Sequence, residues 1–149
     1  MEPIVRAGET YCWDRDLTEA AAWDVWLEPR PAYVYVAEEA GQILGTAQLH
    51  PNRGGAGSHV ANASFMSAAW ASGRGVARAL AAHVLDQAAS QGYRAMQFNA
   101  VVQTNERAVA LWQSLGFRIL ATVPDAFAHP VHGFTGLHIM HKHLADPGL

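Results

Sequence analysis

The stretch with the clearest chemical meaning is Ser72-Gly73-Arg74-Gly75-Val76-Ala77, which runs into Arg78-Ala79-Leu80-Ala81-Ala82-His83-Val84-Leu85. Gly73 and Gly75 allow positive φ and close approach by another molecule. A helix start offers N–H groups without intrahelical partners and a partial positive charge, which suits phosphate. Successive amides from Gly73 to Ala77 can form a nest for a diphosphate, with Arg74 and Arg78 adding charge. The same residues would also serve as a plain loop leading into a helix. Histidines offer a second chemistry: His129, His132, His138, His141 and His143 cluster late in the chain. Zinc needs three or four converging ligands, and the odd spacing of His138 and His141 puts them on opposite faces of a strand. No metal is therefore expected. A loop carrying His129 and His132 over a small-molecule pocket is the alternative, with Tyr11 and Trp13 closing it from the N-terminal side.

A chain of 149 residues is expected to form one domain over residues 1–149. Half of it is hydrophobic and 15% is charged, an ordinary globular balance. The net charge of -3 gives no basic footprint for nucleic acid. Cys12 is a lone cysteine and cannot make an internal disulfide. No charged-then-apolar leader opens the chain, and no apolar run approaches a membrane span. A cytoplasmic protein without nucleic-acid or membrane partners is expected.

The elements that position these residues follow from pattern. Ile4 to Arg6 reads as a short strand. Asp16 is expected to cap a helix, with Glu19 three residues on and Ala20, Trp23 and Leu27 on its apolar face. Glu28-Pro29-Arg30-Pro31 stops it. Trp23 and Trp26 suit packing or a dimer contact better than substrate. Tyr33 to Ala37 and Ile43 to His50 are strands around the turn Glu39-Ala40-Gly41-Gln42. After the Gly-rich loop Asn52 to Ser58, His59 to Met66 is a third strand. The helix from Gly75 lines up Val76, Leu80, Val84 and Ala88 and ends at Gly92. Arg94 to Val102 is a strand. Thr104 or Asn105 caps a helix with the stripe Ala108, Leu111, Trp112 and Leu115, closed by Gly116. Phe117 to Val123 is a strand, Pro124 to Gly136 a long loop and Leu137 to Leu144 the last strand. The order implies an α/β fold with a mixed sheet, antiparallel early and with crossover helices on either side of the Arg94 strand.

This order resembles the GNAT superfamily of acetyl-CoA-dependent N-acyltransferases, over Tyr33 to Leu144. The family's acyl-CoA motif is Arg or Gln, two residues, Gly, one residue, then Gly or Ala. Ser72-Gly73-Arg74-Gly75-Val76-Ala77 matches it except at Ser72, and a cradle of backbone N–H groups does not need that side chain. Asn105-Glu106-Arg107-Ala108-Val109-Ala110-Leu111-Trp112-Gln113-Ser114-Leu115-Gly116-Phe117 matches a second motif. The resemblance implies acetyl-CoA as co-substrate, an amine acceptor, splayed central strands and a homodimer. It places the pantetheine arm between His59–Met66 and Arg94–Val102, with a backbone N–H near Phe65 or Met66, beside Ser67, facing the thioester oxygen. Asn62, Asn99 and Asn105, with Ser58 to Phe65 and Phe98, are similar to a fungal branch that acetylates the proline analogue azetidine-2-carboxylate. That narrower resemblance implies a small amino or imino acid acceptor, with the three asparagines positioning substrate and cofactor.

An amide both donates and accepts, so Asn62 and Asn99 can orient an amine and a carboxylate. Trp112 stands where many family members carry a tyrosine acid, and an indole N–H does not release its proton near neutral pH. A thiolate with a pKa of roughly 8.5 leaves acceptably without an acid. The strand bearing Asn62 has no carboxylate, so Glu38 or His59 acting through water, or direct attack by a neutral amine, must suffice. Acetylation of a peptide N-terminus or an amine antibiotic is a rival reading. So is an acyl-CoA sensor without catalysis. A dinucleotide fold is disfavoured because Gly73-x-Gly75-x-x-Arg78 lacks a third glycine.

Overall fold

The structure is a computed structural model that describes residues 1–27 and 31–144. Its elements are α1 (Glu2–Ala7), α2 (Glu19–Trp26), β1 (Tyr33–Glu39), β2 (Gln42–Pro51), β3 (Val60–Ser67), α3 (Val76–Ser90), β4 (Ala95–Val102), α4 (Glu106–Ser114), β5 (Arg118–His129) and β6 (Gly133–His143). The strands make a six-stranded mixed sheet in the order β1-β2-β3-β4-β6-β5. The expected mixed α/β class is what forms. The described residues divide into two compact units, Met1–Asp24 with Gln97–Lys142, and Val25–Met96 with His143 and Leu144.

In the second of these units, β1 and β3 flank β2 in antiparallel register. The bond from Asn52 N–H to Val60 C=O, 2.7 Å, fixes the phase of the β2–β3 ladder. Backbone groups of Val60, Asn62, Ser64 and Met66 therefore face β2, and those of Ala61, Ala63 and Phe65 face the opposite edge. Ala47, Leu49, Ala61 and Ala63 share one face and are buried, with α3 packed on the sheet. The helix buries Val76, Leu80, Val84 and Ala88, the stripe its periodicity predicts, and adds Ala81. The other face of β2 is pinned by α2: Trp26 Nε1 donates to Thr46 Oγ1 at 3.1 Å, and Gln48 Nε2 donates to the Val25 carbonyl at 3.0 Å.

Three expectations near the N-terminus are corrected. Ile4 to Arg6 lies in α1, not in a strand. Pro3 fits the first turn, Arg6 reaches Glu2 one turn back at 2.8 Å, and Gly8 closes the helix with φ 67. Thr18, not Asp16, caps α2: its Oγ1 accepts from the Ala21 N–H at 3.2 Å. The buried position of α2 is Trp26, while Ala20, Trp23 and Leu27 are exposed. The stop at Glu28-Pro29-Arg30 lies outside the described residues.

In the first unit, β5 and β6 form a long antiparallel hairpin, so the loop expected from Pro124 to Gly136 is largely strand. Pro124 is tolerated because β5 is the sheet's edge. The register shifts between Val123 and Phe127, and Asp125 takes φ 53 there. Phe98, Trp112 and Phe117 make the aromatic core, with Phe98 and Phe117 stacked at 4.4 Å between ring centres and Trp112 at 4.8 Å from Phe98. No helix among the described residues is long and apolar enough to cross a membrane.

Candidate active site

The loop before α3 has the geometry its glycines suggest. Gly73 and Gly75 take φ 78 and φ 75, and a Cβ at either would touch nothing within 4 Å. These positions are glycine for backbone conformation, not for lack of room. Gly75 is the N-cap of α3 and, being glycine, brings no capping side chain of its own. A 15-residue helix thus presents its first N–H groups toward an exposed loop, with positive dipole end outward. Ser72 to Gly75 are exposed, Ala77 is half-buried, and Val76 is buried in a small apolar cluster with Leu44 and Ala71 that anchors the loop from below. Arg74 is paired with Glu39 at the end of β1. Arg78 is exposed on the first turn of α3.

The edge of β3 opposite β2 is the second part. Its parallel ladder to β4 has two registered pairs, Val60↔Ala95 and Ala61↔Met96. The next outward amide, on Ala63, is taken at 2.8 Å by Oδ1 of Asn62 from the same strand. Asn62 therefore ends the ladder with its own side chain, which fixes the carboxamide and turns Nδ2 away from the bonded oxygen. The following outward amide belongs to Phe65. Of the two residues the sequence offered for a donor, Phe65 has the right phase, while Met66 is buried and its backbone faces β2. Ser67 is half-buried at the end of β3, its Cα paired with Gly45. His59 is exposed just before β3, and Glu38 is exposed at the β1 bulge.

The other sequence-predicted residues lie in the first unit. Asn99 Oδ1 accepts from Gln97 Nε2 at 3.0 Å along β4. Asn105 caps α4, its Oδ1 accepting from the Ala108 N–H at 3.3 Å. Trp112 is buried in the aromatic core. Tyr11 stacks on Trp13 at 4.8 Å. His129 is half-buried at the β5–β6 turn rather than in a long loop, and its Nδ1 accepts from the amides of Val131 and His132 at 3.1 and 3.2 Å. That tautomer leaves only Nε2 to meet a ligand. The sequence reading missed His138 as a buried polar residue. It is 8% exposed, with Nδ1 2.7 Å from Thr122 Oγ1 across the hairpin. The alternation that buries Gly136, His138 and Met140 on β6 was its available signal.

Residues 2–117 match the model of the Acetyltransferase (GNAT) family, which takes in α1 to α4 with the glycine loop and β3. The chain belongs to the acetyltransferase (GNAT) family. A GCN5-related N-acetyltransferase from Kribbella flavida shares 55% identity with this GNAT chain at a TM-score of 0.92, covering 96% of this chain and 87% of that one. N-acetyltransferase aca1 of Schizosaccharomyces pombe is 30% identical over 103 residues, 68% of this chain and 49% of the relative. The GNAT chain thus spans about half the length of that curated relative. The structure of yncA from Salmonella typhimurium, solved with its cofactor acetyl-CoA, superposes at a TM-score of 0.84 with 23% identity, over 97% of this chain and 84% of that one. At that identity the likeness speaks to the fold.

Proposed function

We propose that this chain is an acetyl-CoA-dependent N-acetyltransferase whose acceptor is a small amine, an amino or imino acid. The observation that carries the reading is the start of α3 directly behind Gly73 and Gly75, both with positive φ, in a chain of the GNAT family. A diphosphate fits this donor set: backbone N–H groups at a helix start, with Arg74 and Arg78 beside them. Acetyl-CoA supplies the acetyl thioester, and its thiol, with a pKa of roughly 8.5, leaves without a side-chain acid.

The chain's own residues do the rest. The Phe65 N–H is the donor for the carbonyl oxygen where negative charge develops. The Asn62 carboxamide, held by its bond to the Ala63 amide, offers Nδ2 to the acceptor's carboxylate. The narrower resemblance gives substrate positioning to Asn99 and cofactor positioning to Asn105. His59, Tyr11 and His129 are offered as acceptor contacts by the sequence alone, His129 through Nε2. Buried Trp112 donates no proton to the leaving thiolate, and β3 carries no carboxylate to act as base, so attack by an already neutral amine is the route this reading takes. Exposed Leu120, Val131 and Phe134 around the β5–β6 hairpin support a homodimer, and a cytoplasmic location belongs to the same reading.

The test is an acetylation assay with acetyl-CoA and a panel of amines that includes proline analogues, following thiol release. Acetylation of an imino or amino acid is expected. Acetyl-CoA binding without thiol release for any amine would make the protein a sensor. Asn62→Asp keeps an oxygen for the Ala63 amide and loses the Nδ2 donor. It should lose most turnover while keeping its fold and its CoA binding, and full turnover would remove Asn62 from the site.

A further inference from the structure

Arg74 is the only charged side chain between Ala71 and Ala77, and the structure shows it engaged. Its Nη2 donates to Oε2 of Glu39, 35 residues earlier in the chain. Glu39 is the last residue of β1 and pairs with Gln42 across the turn Ala40-Gly41. Both turn residues have positive φ, 50 and 78, the conformation of a tight two-residue hairpin. Below the turn, Ala37 and Ala68 pack against the cluster of Leu44, Ala71 and Val76, so the hairpin and the glycine loop stand on one apolar cluster. Two anchored turns, not two wandering side chains, bring these charges together.

We propose that Glu39 is a competing carboxylate for the cofactor loop: it holds Arg74 when the loop carries no ligand, and a bound diphosphate takes Arg74 from it. The inference rests on the reading of the loop as the diphosphate site. A diphosphate carries more charge than one carboxylate and arrives where the α3 amides already favour an anion, so it wins the guanidinium. Glu39 is then left unpaired beside a new anion. Each binding event therefore works against Glu39, which loosens the cofactor and helps the spent thiol form to leave. The two side chains are 43% and 62% exposed, which keeps the effect modest and sensitive to salt. The neighbouring carboxylate, Glu38, sits at the bulge one residue before Glu39 and takes no part in this pair.

Titration calorimetry of the full chain with CoA and with dephospho-CoA, which keeps the diphosphate and lacks the ribose phosphate, tests this directly. At low ionic strength Glu39→Gln should bind both ligands about two- to fivefold more tightly than the parent protein. The gain should shrink at high salt and be smaller when Arg74→Ala is already present. Unchanged or weaker binding by Glu39→Gln overturns the proposal. So does a gain as large in the Arg74→Ala background, or one confined to CoA. A parent protein that binds neither ligand would fell the diphosphate reading itself, and the competition with it.

Discussion

Gly45 of β2 lies directly beneath Val76, the first residue of α3. A Cβ on this glycine would stand 3.2 Å from Val76 Cγ1 and 3.0 Å from the Met66 carbonyl oxygen. Val76 cannot turn away, because it is buried against Leu44 and Ala71. Gly45→Ala should thus overpack the floor of the glycine loop. A loss of about 1–3 kcal/mol is expected, which thermal unfolding would show as a melting point lower by roughly 2–10 °C. CoA affinity should fall as well, since the helix start is displaced.

The β1–β2 turn offers the opposite kind of change. Ala40 holds φ 50, a conformation a side chain with Cβ adopts at a cost. Asparagine tolerates it, and Asn-Gly is a preferred pair for this turn. Ala40→Asn should stabilise the fold by about 0.5–1 kcal/mol. An unchanged or lower melting point would show that the turn relaxes to another shape in solution.

Asn105 carries two proposed duties that substitution can separate. Asn105→Ala should cost about 1 kcal/mol through the lost cap on α4. Asn105→Asp keeps an acceptor for the Ala108 amide and should recover that stability. If Asn105 also positions the cofactor, the aspartate variant will melt like the parent and still show a raised KM for acetyl-CoA. Full recovery of both would leave the residue a cap alone.

Much of the fold is legible in the sequence because burial there follows a period. Val76, Leu80, Val84 and Ala88 recur at helical spacing and all four are buried. Asn105 was readable as a cap because few residue types satisfy a helix start. The failures have physical causes. Ile4 and Val5 suggest a strand by type, but the Glu2–Arg6 pair and the Gly8 cap settle them in a helix. Pro124 suggests a loop, but at a sheet edge its missing N–H breaks no ladder. The α2 face was misread because Trp26 finds its partner in Thr46, 20 residues away, a tertiary contact that helical spacing does not reveal.

The candidate site divides in the same way. Local backbone demands at Gly73 and Gly75 are written in the residue types themselves. Choosing Phe65 over Met66 needs the phase of the β2–β3 ladder, and the Arg74–Glu39 pair needs the tertiary fold. Neither leaves a mark in the order of the residues.

Tyr93 is expected to contribute to an alkaline limit of the fold. Burial first, and then the neighbouring phenols of Tyr33 and Tyr35, push its pKa above the ordinary tyrosine value. A raised pKa means the fold favours the neutral phenol. The stability this contributes is complete below the unfolded tyrosine pKa of about 10 and is lost as pH climbs through the folded value. Tyr93→Phe cannot ionise and should flatten the stability profile above pH of about 10. An unchanged alkaline slope in urea unfolding would assign the limit to other groups.

The central claim is that amides at the start of α3 hold the diphosphate. A titration of ¹⁵N-labelled protein with CoA, read amide by amide, addresses it most directly. The largest shifts are predicted at Gly73, Arg74, Gly75, Val76 and Ala77, and they should persist with dephospho-CoA. Saturable binding that leaves those five amides unmoved would contradict the account.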